Sequence, residues 1–194
     1  MTEPLTLYTI GHSDHSVEDF IALLQKYNVQ VLVDVRSAPA SKFVPHFNKQ
    51  PLENSLKQNA ISYHFAGNYL GGRPAQADVY KSNHLPDKDT KRQDFLELVQ
   101  YEEIMKRDWY QKGINRLLDI IRENKDKNGV VAIMCSEGNP HDCHRHHLIA
   151  RSLIDPQVKV VDTDVQVYHI LKTGALENVD VEAFQETLMQ PRLF

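Results

Sequence analysis

The sequence predicts an α/β protein in which a mainly parallel sheet is flanked by helices, in Rossmann-like or rhodanese-like layers. Short stretches rich in β-branched residues alternate along the chain with stretches of helical periodicity, a pattern typical of parallel sheets with helical crossovers. Residues 29–35 are almost continuously apolar, which is typical of a strand covered on both faces. The length of 194 residues fits one domain, so we expect a single domain over residues 1–194.

The first third of the chain predicts three strands and two helices. Residues 5–10 alternate between polar and apolar side chains and end at a glycine, which predicts the first strand. Ser16 is a candidate N-cap for a helix with an apolar stripe, and residues 29–35 form the second strand. A strand–helix–strand unit of this length implies parallel strands. A short helix over residues 51–58 and a third strand over residues 61–65 follow.

The rest of the chain predicts a glycine turn, an insertion, and further helices and strands. Gly71 and Gly72 precede Arg73 and Pro74, which predicts a tight turn that needs glycine geometry. Residues 75–91 are polar and contain a proline, so we expect a mobile insertion there. The other predicted elements are a charged helical region over residues 92–108, helices over residues 113–125 and 141–153, and strands over residues 130–135 and 165–171.

Composition bears on the partners and the compartment of the protein. The formal net charge of −4 gives no general attraction to nucleic acid, although a local basic patch would leave such binding open. No stretch approaches the roughly 20 apolar residues that span a bilayer, so we expect no membrane segment. The first residues lack the features of a signal peptide, and two cysteines are too few for a disulfide framework. We therefore expect a cytoplasmic protein with reduced thiols.

Polar residues follow three of the predicted strands at the point where each strand ends. These ends are residues 11–13, 34–36 and 135–137. Ligands of open parallel sheets bind outside the carboxyl ends of the strands, so we expect the three ends to converge on one site. The candidate catalytic residues are Cys135, Glu137, Cys143, His144 and His12. The candidate substrate-binding residues are Asp34, Arg36, Ser37, Gly71, Gly72 and Arg145.

The same motifs resemble those of the DUF488 family of bacterial and archaeal α/β proteins. The resemblance is carried by Ile10-Gly11-His12-Ser13, Asp34-Val35-Arg36-Ser37, Gly71-Gly72, Met134-Cys135-x-Glu137 and Cys143-His144-Arg145, and it reaches about Ile170. It implies an α/β fold and a site in this region, but no defined reaction. Position 42 is Lys where the family pattern more often has Arg, which weakens the case for bidentate anion binding there.

Cys135 is a candidate nucleophile because it follows a strand and precedes a loop and a helix, whose N-terminus lowers a thiol pKa. Rhodaneses and cysteine phosphatases use this arrangement, and residues 34–36 are similar to the Asp-Val-Arg of a rhodanese strand. The loop departs from both patterns, because His141 and Pro140 stand where a phosphatase and a rhodanese have Arg. A buried strand cysteine is the alternative interpretation.

Metal binding is a minority hypothesis, and no metal ligand or cofactor is assigned. The cysteines and histidines provide enough soft ligands for zinc or iron, but the chain has no Cys-x-x-Cys pair for a structural finger. His144 and His147 share one face of the predicted helix, so together they could bind a metal. For at least two of the four histidines between positions 141 and 147 we favour charged, solvated positions at the helix start.

The leading hypothesis is a small cytoplasmic enzyme, a hydrolase or transferase, that acts on an anionic substrate such as a phosphate-bearing or nucleotide-like molecule. In this hypothesis Arg36 and Arg145 hold the anion, Glu137 or His12 transfers protons, and a cysteine is the nucleophile or a ligand. Two alternatives stay open. One is a metal- or redox-sensing module without turnover, and the other is a nucleic-acid-processing protein. No oligomeric state is predicted.

Overall fold

The computed structural model describes residues 3–87, 89–90, 92–182 and 184, and contains one six-stranded sheet with helices on both faces. The strands are β1 (Leu5–Gly11), β2 (Val29–Asp34), β3 (Ser62–Phe65), β4 (Val130–Cys135), β5 (Val165–Ile170) and β6 (Leu176–Val179). Their order in the sheet is β3-β2-β4-β1-β5-β6. Only the β5–β6 pair is antiparallel within the described sheet. The predicted α/β fold with a mainly parallel sheet is confirmed.

β4 lies between β2 and β1 in the parallel part of the sheet. Its side chains are apolar on both faces, because Val131 and Ile133 pack into one core layer while Ala132 and Met134 pack into the other. Such a strand buries the most apolar surface when helices cover both of its faces. β1 and β2 are parallel, as the strand–helix–strand pattern predicts, but they are not neighbours because β4 separates them.

Seven α-helices lie within the described ranges. They are α1 (Val17–Lys26), α2 (Lys49–Gln58), α3 (Gly67–Leu70), α4 (Arg92–Leu98), α5 (Tyr101–Met105), α6 (Asp108–Lys125) and α7 (Arg151–Ile154). α1 and α2 cover one face of the sheet through side chains such as Phe20 and Leu52, and α6 covers the other through Ile114 and Leu118. Ser16 caps α1 as predicted, since its Oγ accepts a hydrogen bond from the backbone N–H of Asp19 at 3.0 Å.

The helical region predicted over residues 92–108 is present, but it is divided into α4, α5 and the start of α6. Helical structure breaks at Val99, which pairs with Tyr80 in an antiparallel bridge. The backbone N–H of Gln100 then donates to Val79 O at 2.8 Å. A long-range pairing therefore interrupts a stretch whose composition alone favours a continuous helix.

The same bridge changes the interpretation of residues 75–91. Val79 and Tyr80 are buried, and the Tyr80 hydroxyl donates to Pro74 O at 2.8 Å. Within its described residues, the predicted mobile insertion is thus anchored to the core at these two side chains.

The chain after β4 departs from the single helix predicted over residues 141–153. A 3-10 turn (Pro140–Asp142) comes first, and a π-helix (Arg145–Ala150) follows and continues into α7. Proline fits the first position of the turn because it has no N–H to leave unpaired. Cys143 and His144 therefore lie in the short connection between the two elements.

The sequence prediction also missed β6, a short edge strand. Val179 is its one fully buried residue, so the segment lacks the apolar alternation that predicts a strand. Among the described helices, none combines the length and the apolar character needed to cross a bilayer.

Candidate functional site

A cavity of about 890 Å³ lies at the carboxyl ends of β1, β2 and β4. The three polar strand ends therefore converge as the sequence predicts. The wall also includes the loop after β2 and side chains from α4 and α5. The predicted site residues in this wall are His12, Arg36, Ser37, Gly72, Cys135, Glu137, Cys143 and His144. Asp34, Gly71 and Arg145 are buried outside it.

Cys135, Cys143 and His144 meet at one point of the wall. The Nδ1 atom of His144 lies 3.6 Å from Cys135 Sγ and 3.7 Å from Cys143 Sγ, and the three donor atoms all lie within 4.8 Å of one another. The imidazole is held in this orientation because its Nε2 donates a hydrogen bond to Val35 O at 3.1 Å. That bond places the proton of a neutral imidazole on Nε2 and leaves the Nδ1 lone pair facing the two sulfurs.

The two thiols of this cluster differ in acidity. The hydrogen bond from Cys143 holds the pKa of Cys135 well below its ordinary value, and the nearby His144 and Arg145 act in the same direction. Burial raises the pKa of Cys143, and its hydrogen bond to Cys135 adds to the increase. Cys135 is therefore the thiol that ionises first. A thiolate is the form that attacks an electrophile or binds a metal.

Gly71 and Gly72 let the backbone approach neighbouring side chains closely, and neither residue serves a left-handed turn. Gly71 has a φ of −70°, which any residue adopts, so the predicted need for glycine backbone geometry is wrong there. A Cβ on Gly71 would lie 2.4 Å from Ser37 Oγ, and a Cβ on Gly72 would lie 2.6 Å from Cγ of His144. The backbone at Gly72 thus packs directly against the imidazole of the cluster.

Gly72→Ala is expected to lower the free energy of unfolding by about 1–3 kcal/mol, the usual cost of overpacking a close contact. The added methyl group would displace the His144 ring from the sulfurs, so the pKa of Cys135 is expected to rise. Urea denaturation measures the stability, and thiolate absorbance against pH measures the pKa. Gly138→Ala is the control, because its methyl group would meet only the rotatable Ser13 side chain. Equal effects of the two substitutions would contradict the contact.

Asp34 is a structural partner of Arg36 at the end of β2. Its carboxylate accepts hydrogen bonds from Nε and Nη2 of Arg36 at 2.9 and 2.6 Å, and from the Tyr63 hydroxyl at 2.8 Å. Asp34 is completely buried and Arg36 nearly so. The carboxylate therefore orients the guanidinium group in the wall of the cavity. Nη1 of Arg36 is the guanidinium nitrogen that takes no part in the bonds to Asp34.

His12 is buried at the end of β1. Its ring stacks on Phe47 with centroids 4.4 Å apart, and Nδ1 donates a hydrogen bond to Ser13 O at 2.9 Å. Burial lowers the pKa of His12 to about 4. The ring is therefore neutral near pH 7, with its proton on Nδ1 and a lone pair on Nε2.

Arg145 is completely buried, and its guanidinium group faces the loop after β4. It donates to the backbone O of Glu137 and, at 3.0 Å, to Gly138 O. Gly11 packs on the same loop, since a Cβ there would lie 1.6 Å from Glu137 O. Because Arg145 lies outside the cavity wall, we assign it a positioning role in this loop and not the predicted contact with an anion.

The four histidines around the start of the π-helix have different environments. His144 joins the cysteines, whereas Nε2 of His147 faces His141 O, so the predicted metal pair of His144 and His147 is not formed. His146 is buried, bonds to His169 at 3.0 Å, and has its pKa lowered by burial to about 3. Solvated positions are therefore confined to the exposed His141 and the partly exposed His147.

Comparison with protein families matches residues 16–152 to the family model described as "Domain of unknown function DUF488". The chain belongs to the DUF488 family. Comparisons with curated proteins and with solved structures found no match.

The DUF488 match covers most of the cavity wall. It includes Arg36, Gly72 and the Cys135–His144 stretch, but it begins after His12 and ends before Ile170, so it is shorter than the resemblance carried by the motifs. The family description names no reaction. The chemistry of this DUF488 protein therefore has to be argued from its own geometry.

The sequence prediction missed the side of this DUF488 site that α4 and α5 supply. Phe95 and Tyr101 lie in the cavity wall, and the guanidinium carbon of Arg73 lies 4.3 Å from the centre of the Phe95 ring. Phe43 also lines the cavity although its side chain is 96% exposed. Phe43 could have been recognised as a cavity residue, because it is aromatic and lies in a loop bounded by prolines. Phe95 and Tyr101 could not, because aromatic residues of a predicted helix resemble ordinary core residues.

Proposed function

We propose that this DUF488 protein is an enzyme that acts on a small anionic substrate, phosphate-bearing or nucleotide-like, in the cavity of about 890 Å³. The observation that carries the proposal is the meeting of Cys135, Cys143 and His144 in the same wall as a guanidinium group. A thiolate beside an imidazole supports nucleophilic or metal-assisted chemistry, and a guanidinium group supports anion binding. The thiol and imidazole cluster is the reacting centre in this proposal.

Two guanidinium groups are assigned to the anion. Arg36 contributes Nη1, because its Nε and Nη2 are bonded to Asp34. Asp34 neutralises much of the charge of Arg36, so the exposed Arg73 supplies the second positive group in the wall. The cation–π contact with Phe95 orders the Arg73 side chain.

His12 and Glu137 are assigned to proton transfer. His12 is neutral near pH 7 and can accept a proton at Nε2, since Nδ1 donates to Ser13 O. Glu137 lines the same cavity, two residues after the end of β4. A substrate held by Arg36 and reaching Cys135 therefore lies in one cavity with both groups.

The proposal predicts that Cys135→Ser abolishes turnover and that Arg36→Lys weakens anion binding about tenfold or more, because lysine lacks the guanidinium fork. A screen of p-nitrophenyl phosphate, p-nitrophenyl sulfate and nucleoside phosphates measures turnover. Calorimetric titration with inorganic phosphate measures anion binding.

Lys42→Gln is the control for charge, because Lys42 is exposed and lies outside the cavity wall. The proposed anion site is wrong if Lys42→Gln and Arg36→Lys weaken phosphate binding equally. The proposed reacting centre is wrong if Cys135→Ser turns over a substrate as fast as the unsubstituted protein.

Redox sensing without turnover is a second candidate function. It is favoured by the two sulfur atoms, which lie within 4.8 Å of each other as free thiols. A disulfide formed on peroxide treatment, in a protein that turns over none of the screened substrates, would favour this candidate. Free thiols also suit the cytoplasmic location that we propose.

A further inference from the structure

We infer that Cys135, Cys143 and His144 form a binding site for one Zn²⁺ ion, with the fourth coordination position open to the cavity. The inference rests on the proposed active site and deepens it by naming the cofactor. The donor atoms would be the two Sγ atoms and Nδ1 of the imidazole. Three protein ligands and one open position are the arrangement of catalytic zinc sites.

The distances in the cluster match tetrahedral zinc geometry. Zinc bonds of about 2.3 Å to sulfur and about 2.0–2.1 Å to nitrogen place a sulfur and a nitrogen ligand about 3.6 Å apart. His144 Nδ1 lies 3.6 Å from Cys135 Sγ and 3.7 Å from Cys143 Sγ. The two sulfurs lie within 4.8 Å of each other, so a small movement brings them to the roughly 3.8 Å of a tetrahedral edge.

Hydrogen bonds can join these three side chains only in pairs, such as the bond from Cys143 to Cys135. The Nδ1 atom of a neutral imidazole has one lone pair, so one S–H donor satisfies it. Two sulfurs nevertheless lie at almost the same distance from this nitrogen. A metal ion at the centre of the triangle would use all three donor atoms at once.

The surroundings hold the ligands in the orientation that a metal site needs. Nε2 of His144 donates to Val35 O, which is the usual partner arrangement of a metal-bound imidazole. The backbone N–H of Arg145 donates to Cys143 Sγ at 3.5 Å, and such a bond stabilises a thiolate. Gly72 packs against the imidazole ring and limits its movement. The site is therefore largely preformed.

The ligand set favours zinc over the hard divalent ions. Two thiolates and one imidazole are soft donors, which disfavour Mg²⁺ and Ca²⁺. Binding replaces each thiol proton that is still present with a bond to the metal and releases that proton to solvent, with no change of oxidation state. Two thiolates also balance the charge of the ion in a buried position.

The test is a metal titration of the full chain after removal of bound metal with a chelator. Elemental analysis of the protein as purified is expected to find one zinc per chain. Titration of the metal-free protein with Co²⁺ is expected to saturate at one ion per chain and to produce thiolate-to-cobalt charge-transfer absorbance. Cys143→Ser and His144→Gln are each expected to weaken Zn²⁺ binding about 100-fold or more.

His147→Ala is the matched control, because His147 lies on the same helical segment but faces His141 O. It is expected to bind zinc like the unsubstituted protein. If a ligand variant fails to fold, the cobalt spectrum and the protons released per ion in the unsubstituted protein decide the question. Absence of stoichiometric binding, or a cobalt spectrum without thiolate absorbance, overturns the inference.

The same experiments separate this inference from the proposed enzyme function. A metal-free protein whose turnover requires Cys135 keeps the proposed active site and overturns the zinc inference. Stoichiometric zinc that depends on Cys143 and His144, in a protein without turnover on any screened anion, supports the zinc inference and contradicts the enzyme proposal.

Discussion

Arg36→Gln is expected to lower the free energy of unfolding by about 3–5 kcal/mol, because it leaves the Asp34 carboxylate buried without its charged partner. Asp34 is completely buried and, among the described residues, would retain the backbone N–H of residue 36 and the Tyr63 hydroxyl as its donors. These two neutral donors do not compensate a buried negative charge as a guanidinium group does. Urea denaturation followed by circular dichroism measures the loss.

The double variant Asp34→Asn with Arg36→Gln tests the cause of that loss. Because it removes both charges, it is expected to recover most of the stability that Arg36→Gln loses. Arg116→Gln is the surface control, since the pair of Arg116 with Glu123 is exposed and is worth less than about 1 kcal/mol. A loss in Arg36→Gln no larger than in Arg116→Gln would show that the buried pair is not formed.

The protein is also expected to lose stability as the pH falls below about 6.5, the pKa of an ordinary histidine. Burial lowers the pKa values of His12, His146 and His169 to about 4, 3 and 2. Between these values and pH 6.5 the unfolded chain binds protons at these positions while the folded chain does not. The unfolded state is therefore favoured increasingly as the pH falls. At pH 5 each of the three histidines contributes a loss of about 2 kcal/mol.

Urea denaturation between pH 8 and about pH 5 measures this dependence, with a chelator present so that metal release does not contribute. His146→Gln removes one of the three buried titrating groups and is expected to reduce the pH dependence by about one third. His84→Gln changes an exposed histidine and is expected to leave it unchanged. Identical pH dependence in all three proteins would contradict a native state with neutral buried histidines.

The parallel strands and their polar ends could be predicted because each depends on local pattern. Residues 29–35 and 130–135 are apolar runs that suit strands covered on both faces, and the residues after them fall at one edge of the sheet. Arg36 and Cys135 could therefore be placed at the same site before their neighbours were known. The polar stretches also carry the family motifs.

The break between α4 and α5 could not be predicted in this way. It depends on the pairing of Val99 with Tyr80, two residues far apart in the chain. Composition describes how well a segment suits a helix, whereas tertiary contacts decide whether the helix continues. For the same reason Phe95 and Tyr101 resembled core residues, although the break lets both line the cavity.

The role of Arg145 could not be predicted from its residue type. An arginine at a predicted helix start is a good candidate for holding an anion, and the same five donors can equally hold backbone carbonyl groups. Its observed partners are Glu137 O and Gly138 O. The conformation of the loop decides the directions of those carbonyl groups. Loop conformation produces no periodic pattern in the sequence, so it could not be predicted there.

Amino-acid patterns therefore establish the fold class, the family resemblance and the edge of the sheet that carries the site. Only the tertiary packing places the Sγ atoms of Cys135 and Cys143 beside the same nitrogen, Nδ1 of His144. The 3-10 turn and the π-helix bring the second sulfur back to the end of β4, and Val35 O and Gly72 fix the imidazole from distant parts of the chain. These contacts join segments remote in sequence, so their geometry depends on how the layers pack and not on any local period.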